Sequence, residues 1–241
     1  VLLFPFVANG LFATCSQAGW DTVKGPLVFG FLWGLGSMTL GLSFAFIGLS
    51  LAYAINYGAQ IAFGSMAPIL IHSRGDLKMT HGYVIMLGVG ICLAGVVVAG
   101  KAAMLKGRSM DVNESKQTQG SSALVKGLIV AFLSGLLCAC YSLAFSFGDP
   151  VREISEQSFG NAAWRSTFVV TALVLWGGAV SSLAYCLFKL AKNNSWGHFA
   201  KAGIAKTLII AFVMALLHDG AILFWGLGAS SVTSWPNRPL R

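Results

Sequence analysis

One long stretch without formal charge constrains this chain more than any other feature. Residues 25–73 contain no Asp, Glu, Lys or Arg over 49 positions. A single α-helix of that length would reach roughly 73 Å, more than twice the bilayer hydrocarbon core of about 30 Å. The stretch therefore predicts two membrane crossings, 26–47 and 49–72, joined by a very tight turn near Gly48.

The composition points to the same class of protein. Charged residues make up 10% of the chain, whereas ordinary soluble domains carry roughly 25%. Charge-poor runs predict four further crossings at 80–100, 124–147, 166–188 and 207–228. Residues 1–14 are apolar but too short to cross, and we expect them to be the end of a helix rather than a signal peptide.

The crossings are predicted to be helices. Every backbone polar group inside lipid must be paired, which leaves helices and closed barrels as the spanning structures. The apolar runs lack the period-two alternation of barrel strands. We therefore expect an all-α integral membrane protein, a multi-helix transmembrane bundle.

The charges of the loops predict the orientation. The loops 101–126 and 189–206 together carry nine basic and two acidic residues. The alternate loops carry five of each, before a tail with two further Arg residues. Because basic residues concentrate in cytoplasmic loops, we expect 101–126 and 189–206 to be cytoplasmic.

The polar segment 107–122, the Asp149-Pro150 pair and the cysteines each allow a further prediction. Residues 107–122 are polar and predict a flexible cytoplasmic linker. Asp149-Pro150 is interpreted as a helix-stop signal, since proline restricts the residue before it. The five cysteines are interpreted as packing residues rather than metal ligands, because Cys138 and Cys140 lie about 200° apart on a helix.

Several blocks of the sequence resemble the L-rhamnose–proton symporter family of the drug/metabolite transporter superfamily. They are FGFLWGLGSMTLGLSFAFIGLSLAYAINYGAQIAFGSMAPILI (29–71), LGVGICLAGVVVAGKAAMLKGRSM (87–110), SGLLCACYSLAFSFGDPVREIS (134–155), LWGGAVSSLAYCLFKLAK (175–192) and LFWGLGA (223–229). The resemblance implies two inverted repeats of five helices, incomplete in this chain at both ends. It implies one transmembrane domain (1–241), with 1–106 as part of the first repeat, 107–122 as the linker and 123–241 as part of the second.

A sugar site would need polar groups beside aromatic faces in a mostly apolar cavity. Asn56 and Gln60 share one helix face at a spacing of four residues. Trp33 and Tyr53 are the expected stacking partners. These four residues are the predicted substrate-binding set. Interhelical hydrogen bonding is an equally weighted interpretation of the two amides, because Asn and Gln commonly hold membrane helices together.

Proton coupling has one candidate pair. Asp219 is the one acidic residue in the run 207–228, and His218 precedes it. An ionisable group inside a crossing is costly, at least about 2.5–3.5 kcal/mol for Asp, and is a functional candidate by default. Asp219 is the predicted proton-responsive group and His218 its neighbour or relay. The family pattern has aromatic or apolar residues here, and the alternative is a helix that ends earlier and leaves Asp219 near water.

The resemblance implies a secondary active transporter, with proton-coupled uptake of a monosaccharide such as L-rhamnose as the expected function. The alternatives are a transporter or exporter of a different small molecule, since this fold does not fix its substrate, and a non-transporting membrane protein. An enzyme is not expected, because the crossings hold no nucleophile–base pair or paired acids. We expect no metal, no cofactor besides the coupling proton, and no nucleic-acid partner. The expected partners are the sugar, the proton and lipid, and the expected location is a bacterial inner membrane.

Overall fold

The structure is a computed structural model, and it describes residues 8–72, 80–111, 121–200 and 203–233. These residues form helices, and no strand occurs among them. The predicted class, an all-α membrane protein, is confirmed. The five α-helices are α1 (Leu11–His72), α2 (Thr80–Asp111), α3 (Ser121–Phe159), α4 (Ala163–Lys192) and α5 (Ile204–Thr233), with a short 3-10 helix at Ser195–Ala200.

Helix α1 is helical throughout its 62 residues, but it reverses direction at Gly48. Gly48 has a φ of +74°, a left-handed conformation that glycine adopts without steric cost. The Ser134 hydroxyl bonds both the Gly36 carbonyl and the Asn56 amide. Twenty residues of straight helix would hold those two groups roughly 30 Å apart. The predicted tight turn is therefore confirmed, and we call residues 26–47 and 49–72 the first and second arms of α1.

The chain divides into two compact units. The first unit comprises Val1–Val23, Gly148–Leu173 and Leu183–Arg241, and the second comprises Lys24–Phe147 and Val174–Ser182. In the second unit, α3 runs antiparallel to the first arm and parallel to the second. Gly127 lies against Ile47 near the turn, Gly135 lies against Asn56, and Gly64 lies against Ser142.

Glycines bring the helices of the second unit into backbone contact. A Cβ atom on Gly30 would lie 2.8 Å from the Val174 Cα atom, and one on Gly34 would lie 2.8 Å from the Gly178 Cα atom. A Cβ atom on Gly177 would collide with the backbone of the first arm at Leu27. In lipid, close packing replaces the hydrophobic effect as the force that holds helices together.

The first unit contains a hydrogen-bonded corner between α3 and α4. The Asn161 side chain is buried and donates to the Asn9 carbonyl (2.8 Å) and to the Ser155 hydroxyl (2.9 Å), while it accepts from the Asn9 backbone N–H (3.0 Å). The Ser166 hydroxyl donates to the Glu156 carboxylate at 2.6 Å. The Asn161 bonds fasten the corner to the segment that precedes α1, and the Ser166 bond joins α4 to α3.

The helix-stop interpretation of Asp149-Pro150 is wrong. Helix α3 continues through Pro150 to Phe159 and ends at Gly160, whose φ is +61°. Proline removes one backbone hydrogen bond, and membrane helices tolerate that loss where neighbours support the chain. The next turns are anchored by Val151 and Ser155, both fully buried. A left-handed glycine is the usual end of a helix, and here it is the true stop signal.

Other helix ends also lie outside the predicted crossings. The first helix begins at Leu11, after a turn in which Gly10 has a φ of +66°, rather than ending near residue 14. Residues 15–25, expected in a loop, belong to α1. The linker expected at 107–122 is helical at 107–111 and 121–122, and its residues 112–120 lie outside the described part of the chain. Hydropathy marks where lipid ends, and a helix can continue into water.

Four helices in the described residues are long and apolar enough to cross a membrane: Leu11–Ile71, Gly82–Ala102, Val125–Phe159 and Ala163–Lys192. The reversal at Gly48 makes the first of them two crossings. Helix α5 continues from Ile204 to Thr233, and its stretch Ile204–His218 is apolar. Helices α2 and α5 expose large apolar side chains, including Leu87, Ile91, Leu208 and Leu217, as lipid-facing helices do.

We predict that Gly177→Ala lowers the free energy of unfolding of the protein in detergent by about 1–3 kcal/mol, the usual cost of overpacking a tight contact. The added methyl group would meet the Leu27 backbone, which has no rotamer with which to move away. The matched control is Gly95→Ala, because a Cβ atom at Gly95 meets nothing within 4 Å. Equal stabilities for the two variants would contradict the close approach of α4 to the first arm.

Candidate functional site

A polar and aromatic cluster lies near the middle of the crossings in the second unit. We call Trp33, Asn56, Ser134, Cys138 and Tyr141 the mid-span cluster. They come from three helical segments: the first arm, the second arm and α3. Each segment is long and apolar enough to cross a membrane, and these side chains lie several residues inside the predicted crossings 26–47, 49–72 and 124–147. Polar groups at that depth are expensive unless they are paired.

The polar half of the cluster is a chain of hydrogen bonds. Asn56 is 1% exposed, and its Nδ2 atom donates to the Ser134 hydroxyl at 2.8 Å. The Ser134 hydroxyl donates to the carbonyl oxygen of Gly36 at 2.8 Å. Cys138 lies beside them, with its sulfur 3.9 Å from Asn56 Nδ2. The Asn56 amide thus acts as an interhelical contact, one of the two roles that its position predicts.

The aromatic half of the cluster is formed by Trp33 and Tyr141. Their ring centroids are 5.5 Å apart at an interplanar angle of 54°, and Tyr141 also contacts Phe145 at 5.0 Å. Gly178 of α4 lies directly against the Trp33 ring, where a Cβ atom would be 2.8 Å from the indole. The glycine leaves room for the indole ring between α4 and α3.

Tyr53 belongs to a different aromatic group. Its ring stacks on Tyr57 at 5.4 Å with an interplanar angle of 11°, and it contacts Phe44 at 5.1 Å. Tyr53 is 36% exposed and Tyr57 is 51% exposed. The structure therefore pairs Trp33 with Tyr141 and Tyr53 with Tyr57, and it does not bring Trp33 and Tyr53 together as one stacking pair.

Gln60 lies one turn beyond Asn56 on the second arm and is half-buried. Around the helix, Asn56, Gln60, Tyr53 and Tyr57 fall within an arc of about 100°, since successive residues are 100° apart. Exposure rises across this arc, from the buried Asn56 to the exposed Tyr57. Gln60 is therefore placed between a sealed interhelical contact and an accessible aromatic pair.

The predicted proton-coupling residues lie in the first unit. His218 is exposed on α5, and the backbone of Asp219 continues the same helix. The side chain of Asp219 lies outside the described residues. Within the described residues, no group of three or more His, Cys, Asp and Glu side chains is arranged to hold a metal ion.

Sequence reasoning missed two members of the cluster, Ser134 and Tyr141. They are seven residues apart on α3, with Cys138 between them, so all three share one helix face. That spacing is a signal for a shared face, but the sequence does not show which helix the face contacts. The interpretation of Cys138 as a packing residue agrees with its burial against Gly36.

Residues 6–234 match the family described as L-rhamnose-proton symport protein. Curated relatives named "L-rhamnose-proton symporter" come from Yersinia pestis bv. Antiqua (strain Antiqua) and Yersinia pseudotuberculosis serotype O:1b (strain IP 31758). Each is 28% identical over 195 residues, which cover 80% of this chain and 55% of the relative. The chain thus spans about half the length of these relatives. No solved structure is significantly similar to it.

We predict that Asn56→Ala lowers the free energy of unfolding by about 1 kcal/mol, the usual contribution of an interhelical hydrogen bond in a membrane. The substitution removes the donor that joins the second arm to Ser134. Gln60→Ala on the same face is the comparison, and its stability should stay close to that of the unmodified protein. A larger loss for Gln60→Ala would show that Gln60, and not Asn56, makes the main interhelical contact.

Proposed function

The chain belongs to the L-rhamnose-proton symport protein family, and from this premise we propose that it takes part in proton-coupled uptake of L-rhamnose. The single observation that carries the proposal is the family match, which extends over residues 6–234. Curated relatives bearing that function in their names cover four-fifths of the chain. The membrane-spanning helices agree with a multi-pass transporter.

The mid-span cluster supports the proposal physically. Secondary transporters bind their substrates near the bilayer midplane, between helices. A monosaccharide presents hydroxyl groups for hydrogen bonding and C–H faces for contact with aromatic rings. Trp33 and Tyr141 supply paired aromatic faces at that depth, and Gln60 supplies both a donor and an acceptor.

We assign the substrate-binding role to Trp33, Tyr53, Asn56 and Gln60, with Tyr141 added on the basis of its contact with Trp33. Within this set Gln60 is proposed to contact the sugar directly, because it is half-buried. Asn56 is proposed to act through its hold on α3, since its amide already bonds Ser134. Tyr53 would contact the sugar from the accessible pair that it forms with Tyr57.

Proton coupling is proposed for Asp219, with His218 as its neighbour or relay. The motivation is that Asp219 is the one acidic residue between Thr207 and Gly228. A carboxyl group within a membrane helix marks a proton relay in many transporters. The coupling ion of the named family is the proton.

We propose that the protein resides in a bacterial inner membrane, with the segments 101–126 and 189–206 on the cytoplasmic side. The charge excess in these segments supports this orientation. Both ends of α4 carry interfacial residues: Arg165 lies over the Trp164 ring at one end, and Lys189 lies over the Tyr185 ring at the other. Labelling of a cysteine introduced at residue 116 by an impermeant reagent in intact cells would contradict the orientation.

The decisive experiment measures uptake of labelled L-rhamnose into proteoliposomes that contain the protein of which this chain is part. An imposed gradient of one pH unit, acid outside, should drive roughly tenfold accumulation if one proton accompanies each sugar. A protonophore should reduce accumulation to equilibrium. Uptake of a different solute in place of L-rhamnose would reject the substrate, and uptake that ignores the pH gradient would reject the coupling.

We predict that Asp219→Asn abolishes gradient-driven accumulation but leaves the exchange of labelled for unlabelled sugar intact, because a permanently neutral group can still permit substrate movement without carrying a proton. Both rates are measured in the same proteoliposomes. Glu153→Gln is the matched control, since it removes an exposed carboxylate on α3. Unchanged accumulation in Asp219→Asn would exclude Asp219 as the coupling group.

A further inference from the structure

Ser134 joins three helical segments through one hydroxyl group. Its side chain is completely buried on α3. The hydroxyl donates to the Gly36 carbonyl of the first arm at 2.8 Å and accepts from Asn56 Nδ2 of the second arm at 2.8 Å. A serine hydroxyl has one proton to donate, and here that proton goes to the first arm. The group thus serves both arms of α1 at once.

The helix backbones around Ser134 lie in close contact. A Cβ atom on Gly36 would lie 2.9 Å from the Cys138 backbone nitrogen. A Cβ atom on Gly135 would lie 3.1 Å from the Asn56 Cα atom. Glycine on both sides lets the helices touch, and serine is a donor small enough to fit the space that remains.

Each arm carries a proposed sugar-binding residue one turn away from this junction. Trp33 precedes Gly36 by three residues on the first arm, and Gln60 follows Asn56 by four on the second. A rotation or slide of either arm would move its binding residue with it, because a helix moves as a rigid element.

We propose that Ser134 is a positioning residue for the sugar site, which sets the spacing between Trp33 and Gln60 by fixing both arms of α1 to α3. The proposal rests on the proposed function of the same site. Ser134 itself does not contact the sugar, because its side chain is completely buried and its one proton goes to the Gly36 carbonyl. Its loss should therefore change sugar affinity through geometry.

The test is the transport kinetics of Ser134→Ala with L-rhamnose. We expect KM to rise about tenfold, because a displaced Trp33 or Gln60 loses its contact with the sugar, while kcat changes less than threefold. Ser134→Cys should fall between alanine and serine, because a thiol is a weak donor. The matched control is Ser142→Ala on the same helix, whose side chain lies against Gly64 of the second arm. Its KM should match that of the unmodified protein.

A double substitution separates positioning from independent effects. If Ser134 acts through Asn56, then Ser134→Ala combined with Asn56→Ala should raise KM no further than the larger single substitution does. A rise in KM equal to the product of the two single rises would overturn the link to the second arm. A KM for Ser134→Ala equal to that of Ser142→Ala would overturn the proposal as a whole.

A structural readout keeps this proposal distinct from the identity of the substrate. Spin labels at Leu42 and Tyr57, both exposed and on opposite arms, report the spacing of the arms. The distance distribution should broaden in Ser134→Ala and stay narrow in Ser142→Ala. A broadened distribution in a protein that does not transport L-rhamnose would reject the proposed substrate and retain Ser134 as the arm-positioning residue. An unchanged distribution would reject the positioning role.

Discussion

Direct backbone contact between helices is the constraint on which the second unit depends. Lipid is as apolar as a leucine side chain, so burial of leucines provides no force to bring membrane helices together. Gly30 and Gly34 of the first arm, and Gly177 and Gly178 of α4, remove the side chains that would hold these helices apart. Dispersion contacts then act between the two helices from Leu27 to Gly34 on the first arm and from Val174 to Ser181 on α4.

That closeness determines where polar groups can go. Beside Gly36 and Gly135 there is space for a serine hydroxyl and a single amide, and these two groups bond each other. A buried amide without partners in hydrocarbon would cost several kcal/mol. The hydrogen bonds from Asn56 to Ser134 and on to Gly36 therefore follow from the packing, and they also fix the rotation of each arm.

Charge and hydropathy predict the crossings because unpaired polar and charged groups are costly everywhere in the hydrocarbon core. The two arms, the turn at Gly48 and the crossings in α2, α3 and α4 follow from that cost. Helix ends do not, because hydrogen bonding continues beyond the lipid. Pro150 shows that the sequence around a helix end can mislead. The helix continues past this proline because Val151 and Ser155 are buried and the corner at Asn161 holds the following turns in place.

The candidate site was predictable only in part for a related reason. Asn56 and Gln60 stand out in the sequence because amides are rare in apolar runs, and the shared face follows from their spacing. Ser134 and Tyr141 are ordinary residues of a membrane helix, and they become significant only once α3 is placed against the two arms.

The roles proposed for Asn56 and Gln60 differ, although the two residues share one helix face. The two amides are 40° apart around the second arm, since four residues turn a helix by 400°. The Asn56 side chain is sealed against α3, whereas the Gln60 side chain is half-buried, on the side of the helix that carries Tyr53 and Tyr57. A substrate that bonds Asn56 would first have to break the hydrogen bond from Asn56 to Ser134, which is buried away from water. Among the contacts described, Gln60 has no hydrogen bond that a substrate would have to break. This difference in energetic cost favours Gln60 as the residue that bonds the ligand and Asn56 as the residue that holds the second arm against α3.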